Sequence, residues 1–278
     1  MRDNKERFGA SEVDAPPQVN QTSTANLNFV IPTELVELPS KGLFYGSEHS
    51  LYGKEFVEIK HMTAKEEDIL TSANLIEKGV VLDYLIQSLL IDKNINAKSL
   101  LAGDQNAILL NARINAYGPE YEYKVNCSEC NEEIKGTYDL ESIKNKQIEY
   151  EAVLKDGCVE INLPRTEVSV KLKYLNIHEQ KILSKEIDKK SKLGLGQSGV
   201  TTFLRHCIYS IDGTLNDGNA KVLQFIENMP SSDVKKIQKE YLEHQPDIDF
   251  SCDVECNSCR HVERRVVPMT AQFFWPRT

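Results

Sequence analysis

The sequence has little of what would announce an enzyme, a membrane protein or a nucleic-acid binder. No apolar run reaches the length of about 20 residues that a bilayer-spanning helix needs. The best, Val80–Ile91, is too short and carries Asp83 and Gln87, so it reads as a buried helix. The opening residues are charged, with no apolar stretch behind them, so no secretory leader is expected, and the expected setting is a cytoplasm-like, reducing compartment. Positive charge is in short supply. With 33 Lys and Arg against 42 Asp and Glu, the net charge is −9, and broad non-specific binding to nucleic acid needs the opposite sign. There is no phosphate-binding Walker loop, no G-x-S-x-G elbow and no H-E-x-x-H helix. The six histidines are scattered and show no acid–base pairing. The expectation is a protein that is not an enzyme.

Cysteine, by contrast, is plentiful. Four of the seven lie in two C-x-x-C pairs, Cys127/Cys130 and Cys256/Cys259. Each pair follows a strand-like run: Tyr121, Tyr123 and Val125 alternate with polar residues before the first, and Phe250, Cys252 and Val254 before the second. In a reducing compartment such pairs favour a metal over disulfides. Four thiolates complete a closed tetrahedral zinc site of the ribbon type. The pairs are more than a hundred residues apart, so one structural Zn2+ ion would tie distant parts of the chain together. One departure from the ribbon pattern is the residue after the second cysteine of each pair. Glycine is usual there, but Asn131 and Arg260 hold these positions; asparagine tolerates the left-handed backbone, arginine less well. Cys158 and Cys207 have no partner motif, Cys252 reads as a small core residue, and His261 is the alternative ligand. A redox use of C-x-x-C would need a single pair opening a helix, whereas both pairs here lie between strands. A hydrolytic zinc site would need an open position, and four thiolates leave none.

Residues 1–27 are polar, contain Pro16-Pro17 and have almost nothing to bury, the composition of a disordered tail. Residues 28–118 read as a mainly helical α+β segment. Pro39-Ser-Lys-Gly42 is a turn, Phe56–Ile59 a strand, and Thr63-Ala-Lys-Glu66 a capping box that opens a helix running to Lys78 and stopping at Gly79. A second helix covers 80–91. Asp104 is set to cap a third, 105–117, closed by Gly118-Pro119. The first knuckle hairpin occupies 119–146. Residues 147–246 read as a strand pair followed by a helical insertion, with helices near 177–192, 200–210, 219–228 and 232–244, the last capped by Ser231-Ser232-Asp233. The second knuckle hairpin and a docked aromatic terminus, Phe273–Thr278, fill 247–278. Gly194–Gly199 matches G-x-G-x-x-G, but a charged helix precedes it rather than a strand, so it reads as an inter-helix loop. The fold class is α+β: a four-cysteine zinc ribbon made by two distant β-hairpin knuckles, with helical segments before and between them.

Dispersed motifs together carry a resemblance: Glu37–Tyr45, Met62–Leu70, Gly103–Ala107, Tyr117–Tyr121, both C-x-x-C knuckles, Asn228-Met-Pro230 and Thr270–Pro276. In this order, from about residue 35 to the end, the chain resembles the baseplate hub family of T-even-type contractile-tailed bacteriophages. That family includes hub subunits and assembly factors described as chaperones. The resemblance implies partners among other baseplate and tail proteins (the hub and tape-measure region), assembly in the host cytoplasm, and for a subunit a place in the virion tail baseplate. It implies no membrane, no catalytic residue, and only Cys127, Cys130, Cys256 and Cys259 as site residues. The exposed hydrophobics expected for partner contacts are those of Leu35–Tyr45 and the aromatic terminus. The competing reading is a zinc-ribbon nucleic-acid-binding module, supported only by Arg260, Arg264 and Arg265.

Overall fold

A computed structural model describes residues 30–192, 199–266 and 273–274. The chain divides into two units, 1–31 and 32–278, and the second is described here. The expected disordered tail, most of the Gly194–Gly199 loop and the last four residues lie outside the described residues. The architecture is α+β, with helices set among small antiparallel sheets. No described helix is long and apolar enough to cross a membrane.

Strand β1 (Thr33–Glu37) pairs with β2 (Phe56–Lys60), from Thr33 opposite Lys60 to Glu37 opposite Phe56. Period-two alternation sends Val36, Val57 and Ile59 into the core and Leu35 and Phe56 outward. The loop between them is pinned by Gly42, at φ +70°. A Cβ there would lie 2.4 Å from both the Leu51 carbonyl and the Lys54 amide, so only glycine fits. This turn folds Leu38, Phe44, Tyr45 and Leu51 into the core. The expected exposed run Leu35–Tyr45 is therefore mostly internal. Leu35 is the exception at 66% exposure, with Leu43 marginal.

The first helical segment is interrupted. Helix α1 (Ala64–Thr71) begins as expected at Thr63, with the Glu66 carboxylate accepting from the Thr63 amide (3.0 Å) and hydroxyl (2.6 Å). It breaks at Ser72, where the backbone is extended, before α2 (Ala73–Glu77). The Thr71 hydroxyl bonds back to the Glu67 carbonyl at 2.9 Å; a short polar side chain competing in this way loosens the helical ladder. Helix α3 (Val81–Leu89) follows, its last carbonyls taken by the Lys93 ammonium.

Helix α4 (Ala102–Tyr117) is central and buried on most sides, which explains why its apolar stripe is poorly defined in sequence. It starts earlier than expected, and Asp104 is not its cap. The Asp104 carboxylate is fully buried and accepts from the Ser40 amide (3.0 Å), the Ser40 hydroxyl (2.6 Å) and the Tyr45 hydroxyl (2.6 Å). Its acceptor capacity goes to three donors of the 38–54 loop, which would otherwise be buried without a partner.

The first knuckle hairpin is β3 (Glu120–Asn126) with β4 (Glu133–Asp139), followed by the short β5 (Lys144–Asn145). The expected strand pair that opens 147–246 is half of a four-stranded antiparallel sheet: β6 (Val159–Asn162), β7 (Ser169–Leu172), β8 (Ile208–Ile211) and β9 (Thr214–Leu215), in that order. Helix α5 (Ile177–Lys192) crosses between β7 and α6 (Gly199–Cys207). The helix expected over 200–210 stops at Cys207 because Ile208–Ile211 pairs with β7 and buries Ile208, Ser210 and Ile211. Helices α7 (Ala220–Glu227) and α8 (Ser231–His244) follow. The Asp233 side chain does not cap α8 but takes the Arg165 (2.8 Å) and Thr166 (3.1 Å) amides of the β6–β7 connection. The chain then forms β10 (Ile248–Asp249), β11 (Ser251–Glu255) and β12 (Val262–Val266). Phe273 and Phe274 are buried, with Phe273 edge-on to Tyr121 at 5.5 Å.

Candidate metal centre

The two knuckles are built by the same bonds. In the first, the Cys127 amide donates to the Glu132 carbonyl (2.9 Å) and the Asn131 amide returns to the Cys127 carbonyl (3.0 Å). In the second, the Cys256 amide donates to the His261 carbonyl (2.9 Å) and the Arg260 amide to the Cys256 carbonyl (2.8 Å). The tight return needs a left-handed residue at the fifth position. Asn131 (φ 59°) and Arg260 (φ 58°) both adopt it, so the departure from glycine is absorbed at a backbone cost on the order of 1 kcal/mol.

The hairpins meet at both ends. At the base, β5 pairs with β10, Asn145 opposite Ile248 and Lys144 opposite Asp249. Helix α4 fixes that base. Gly103 lies so close to it that a Cβ would sit 2.1 Å from the Pro246 carbonyl oxygen, and the Asn106 amide donates to Asp247 at 3.0 Å. At the tip the Ser128 amide reaches Glu263 at 3.3 Å. Beneath the knuckles a small apolar cluster separates from the main core: Ile134 and Val254, flanked by Tyr123, Val125 and Cys252.

This frame brings all four expected residues together. The ligand atoms of Cys127, Cys130, Cys256 and Cys259 lie within 4.8 Å of one another. Across the hairpins, Cys127 and Cys259 sulfurs are 3.6 Å apart, as are those of Cys130 and Cys256. A disulfide requires about 2.05 Å. A tetrahedron of sulfurs about 2.3 Å from a central zinc has edges of about 3.8 Å, and the observed spacing fits that figure. Cys127 and Cys256 are buried, while Cys130 and Cys259 face solvent. Backbone amides of Cys130 and Glu129 hold the Cys127 thiol below its usual range, and those of Cys259 and Ser258 bring Cys256 down to about 7. The donor set is soft, all-sulfur and closed.

The other candidates are not brought in. His261 gives its carbonyl to the knuckle turn, and its ring is not in the sulfur group. Burial pushes the Cys158 thiol up to about 12 and Cys207 higher still, so neither ionises. Two of the three arginines are ion-paired, and the third, Arg260, is exposed with no ion pair among the described residues. Arg264 is held by Asp249 at 2.8 Å and Arg265 by Glu263 at 2.9 Å. His49 and Ser99 make a 2.8 Å contact that resembles a nucleophile–base pair. However, the Leu51 amide donates to His49 Nδ1 (3.2 Å), so Nε2 carries the proton and donates to Ser99, whose hydroxyl in turn donates to the Asn96 carbonyl. A general base needs the reverse arrangement.

Sequence reasoning missed the supports of the site. Gly103 and Asn106 fix its base, and Glu263 links the knuckles. Gly103 and Asn106 lie in one of the dispersed motifs, which was the available signal. Glu263 is one carboxylate in an alternating strand and gave none. Searches of curated proteins and of solved structures each return no match. A family model described as T4 bacteriophage base plate protein matches residues 35–275, a span that contains both knuckles, the Gly103 motif and nearly all of the β1–β2 hairpin.

Proposed function

Because the chain belongs to the T4 bacteriophage base plate protein family, we propose that it works without catalysis, as a hub component of the tail baseplate or as a factor that assembles the hub. The family match over residues 35–275 carries this reading. The closed sulfur cluster and the ion pairs of Arg264 and Arg265 support a structural over a nucleic-acid-binding role. Its partners are then other baseplate and tail proteins, met in the host cytoplasm during assembly.

The metal in this reading is zinc, held by Cys127, Cys130, Cys256 and Cys259. Four sulfurs this close repel one another when ionised, and a dication removes that repulsion and lets all four lose their protons. What zinc supplies when bound is cross-linking. The chain's own residues do the rest: the β5–β10 pair and Gly103 set the hairpins side by side, and the knuckle amides aim the thiols. Metal analysis of the purified protein is expected to give about one zinc per chain; a well-folded protein that never takes up metal overturns the ligand assignment. Mature particles separate the two roles. A hub subunit is present in them at fixed stoichiometry, and an assembly factor is absent.

A further inference from the structure

The outward face of the β1–β2 hairpin is unusual in what it exposes. Leu35 and Phe56 are 66% and 49% exposed. The register sets Leu35 opposite Glu58 and Phe56 opposite Glu37, so the two apolar side chains are diagonal neighbours with a carboxylate beside each. Glu37 and Glu58 are in no ion pair among the described residues, and the one lysine of the hairpin strands, Lys60, is committed to Glu66 at 2.6 Å. Beside this face runs a groove of about 600 Å³, its apolar lining completed by Leu110, Ile143 and Ile248, with Lys144 also on its wall. Among the described residues β1 and β5 are each paired on one side only, so each keeps a free row of backbone donors and acceptors.

We propose that this groove seats an extended segment of a neighbouring baseplate protein. The segment places an apolar side chain between Leu35 and Phe56 and a lysine or arginine against Glu37 and Glu58. Charge argues for another protein over a second copy of this chain. A two-fold contact through the same face would set these unpaired carboxylates against their own images, in a chain already at −9. The inference rests on the baseplate reading and names where on the molecule a partner docks.

The test is complementation of a phage lacking this gene. Two variants are compared with wild type: Phe56→Ser, and the charge reversal Glu37→Lys with Glu58→Lys. Both are expected to lower the yield of assembled baseplates at least tenfold. The purified charge variant is expected to keep its metal content and melting temperature. Should Phe56→Ser fail to fold, the charge reversal alone decides, because both its sites point to solvent. Suppressors of the charge reversal that place an acidic residue in another baseplate protein support the docking. Normal assembly by the charge variant overturns it, as does a self-association of the wild-type chain that Phe56→Ser abolishes. Baseplates that form without the gene defeat the functional reading itself, which is a different outcome from a required gene whose groove variants behave normally.

Discussion

Individual side chains in this molecule are tied to partners far off in sequence, and substitutions should reveal which ties matter. Cys127→Ser removes one of the four sulfurs and is expected to abolish metal uptake and unfold the ribbon. Cys158→Ser, in a site with no cluster, is expected to cost only about 1 kcal/mol; metal content and melting of both variants check this. Glu66 is buried, and burial would raise its carboxyl, but hydrogen bonds from Lys60, Ser88 and Thr63 outweigh that and hold it at about 2. A carboxyl lowered in the folded state stabilises above its unfolded pKa of about 4.5. That contribution is lost as pH falls toward 2. Glu66→Gln is therefore expected to lower stability at pH 7 by on the order of 2–3 kcal/mol and to flatten the acid limb of the stability curve, measured by denaturant titration at several pH values. Burial lowers the His49 pKa, so its contribution is intact above about pH 6.5 and declines below that value. The thiols are plain in the sequence because C-x-x-C spacing is local. The sequence could not show Asp104 or Asp233 in their true roles, since an aspartate near a helix start looks like a cap whether or not a distant loop claims it.

At the scale of elements, what was legible followed from short-range pattern. The leading strand of each knuckle alternates cleanly and is legible, and the expected limits of α3, α5 and α8 lie within two residues of the observed ones. What was not legible depended on partners elsewhere in the chain. Ile208–Ile211 continues an apolar helical pattern until β7, some 40 residues earlier, offers it a sheet edge. The break at Ser72 lacks the glycine or proline that marks most interruptions. Close approach of elements is equally silent in sequence, and Gly103 is the instance with a sharp consequence. Gly103→Ala puts a methyl against the Pro246 carbonyl, which neither α4 nor the β10 base can yield without moving. The expected cost is about 1–3 kcal/mol, despite alanine's better helix propensity. Hydrogen exchange should show the loss concentrated in β5 and β10.

For the whole molecule, two cores of different character set the order of events. The large core joins β1–β2, α3, α4 and the four-stranded sheet, while the knuckle tips rest on a cluster of only a few side chains. Chelation is therefore expected to raise exchange rates in β3, β4, β11 and β12 and leave α3 and α4 protected. Uniform loss of protection on chelation would mean that the metal holds the entire fold. The separation of the two knuckles also has a consequence in time. Cys130 and Cys256 are 126 residues apart. At about 5–20 residues per second of synthesis, the first knuckle leaves the ribosome roughly 6–25 s before the second. For that interval the nascent chain carries half of the sulfur cluster, with two thiols open to any ion or oxidant nearby, and the cluster is completed only when the second knuckle arrives.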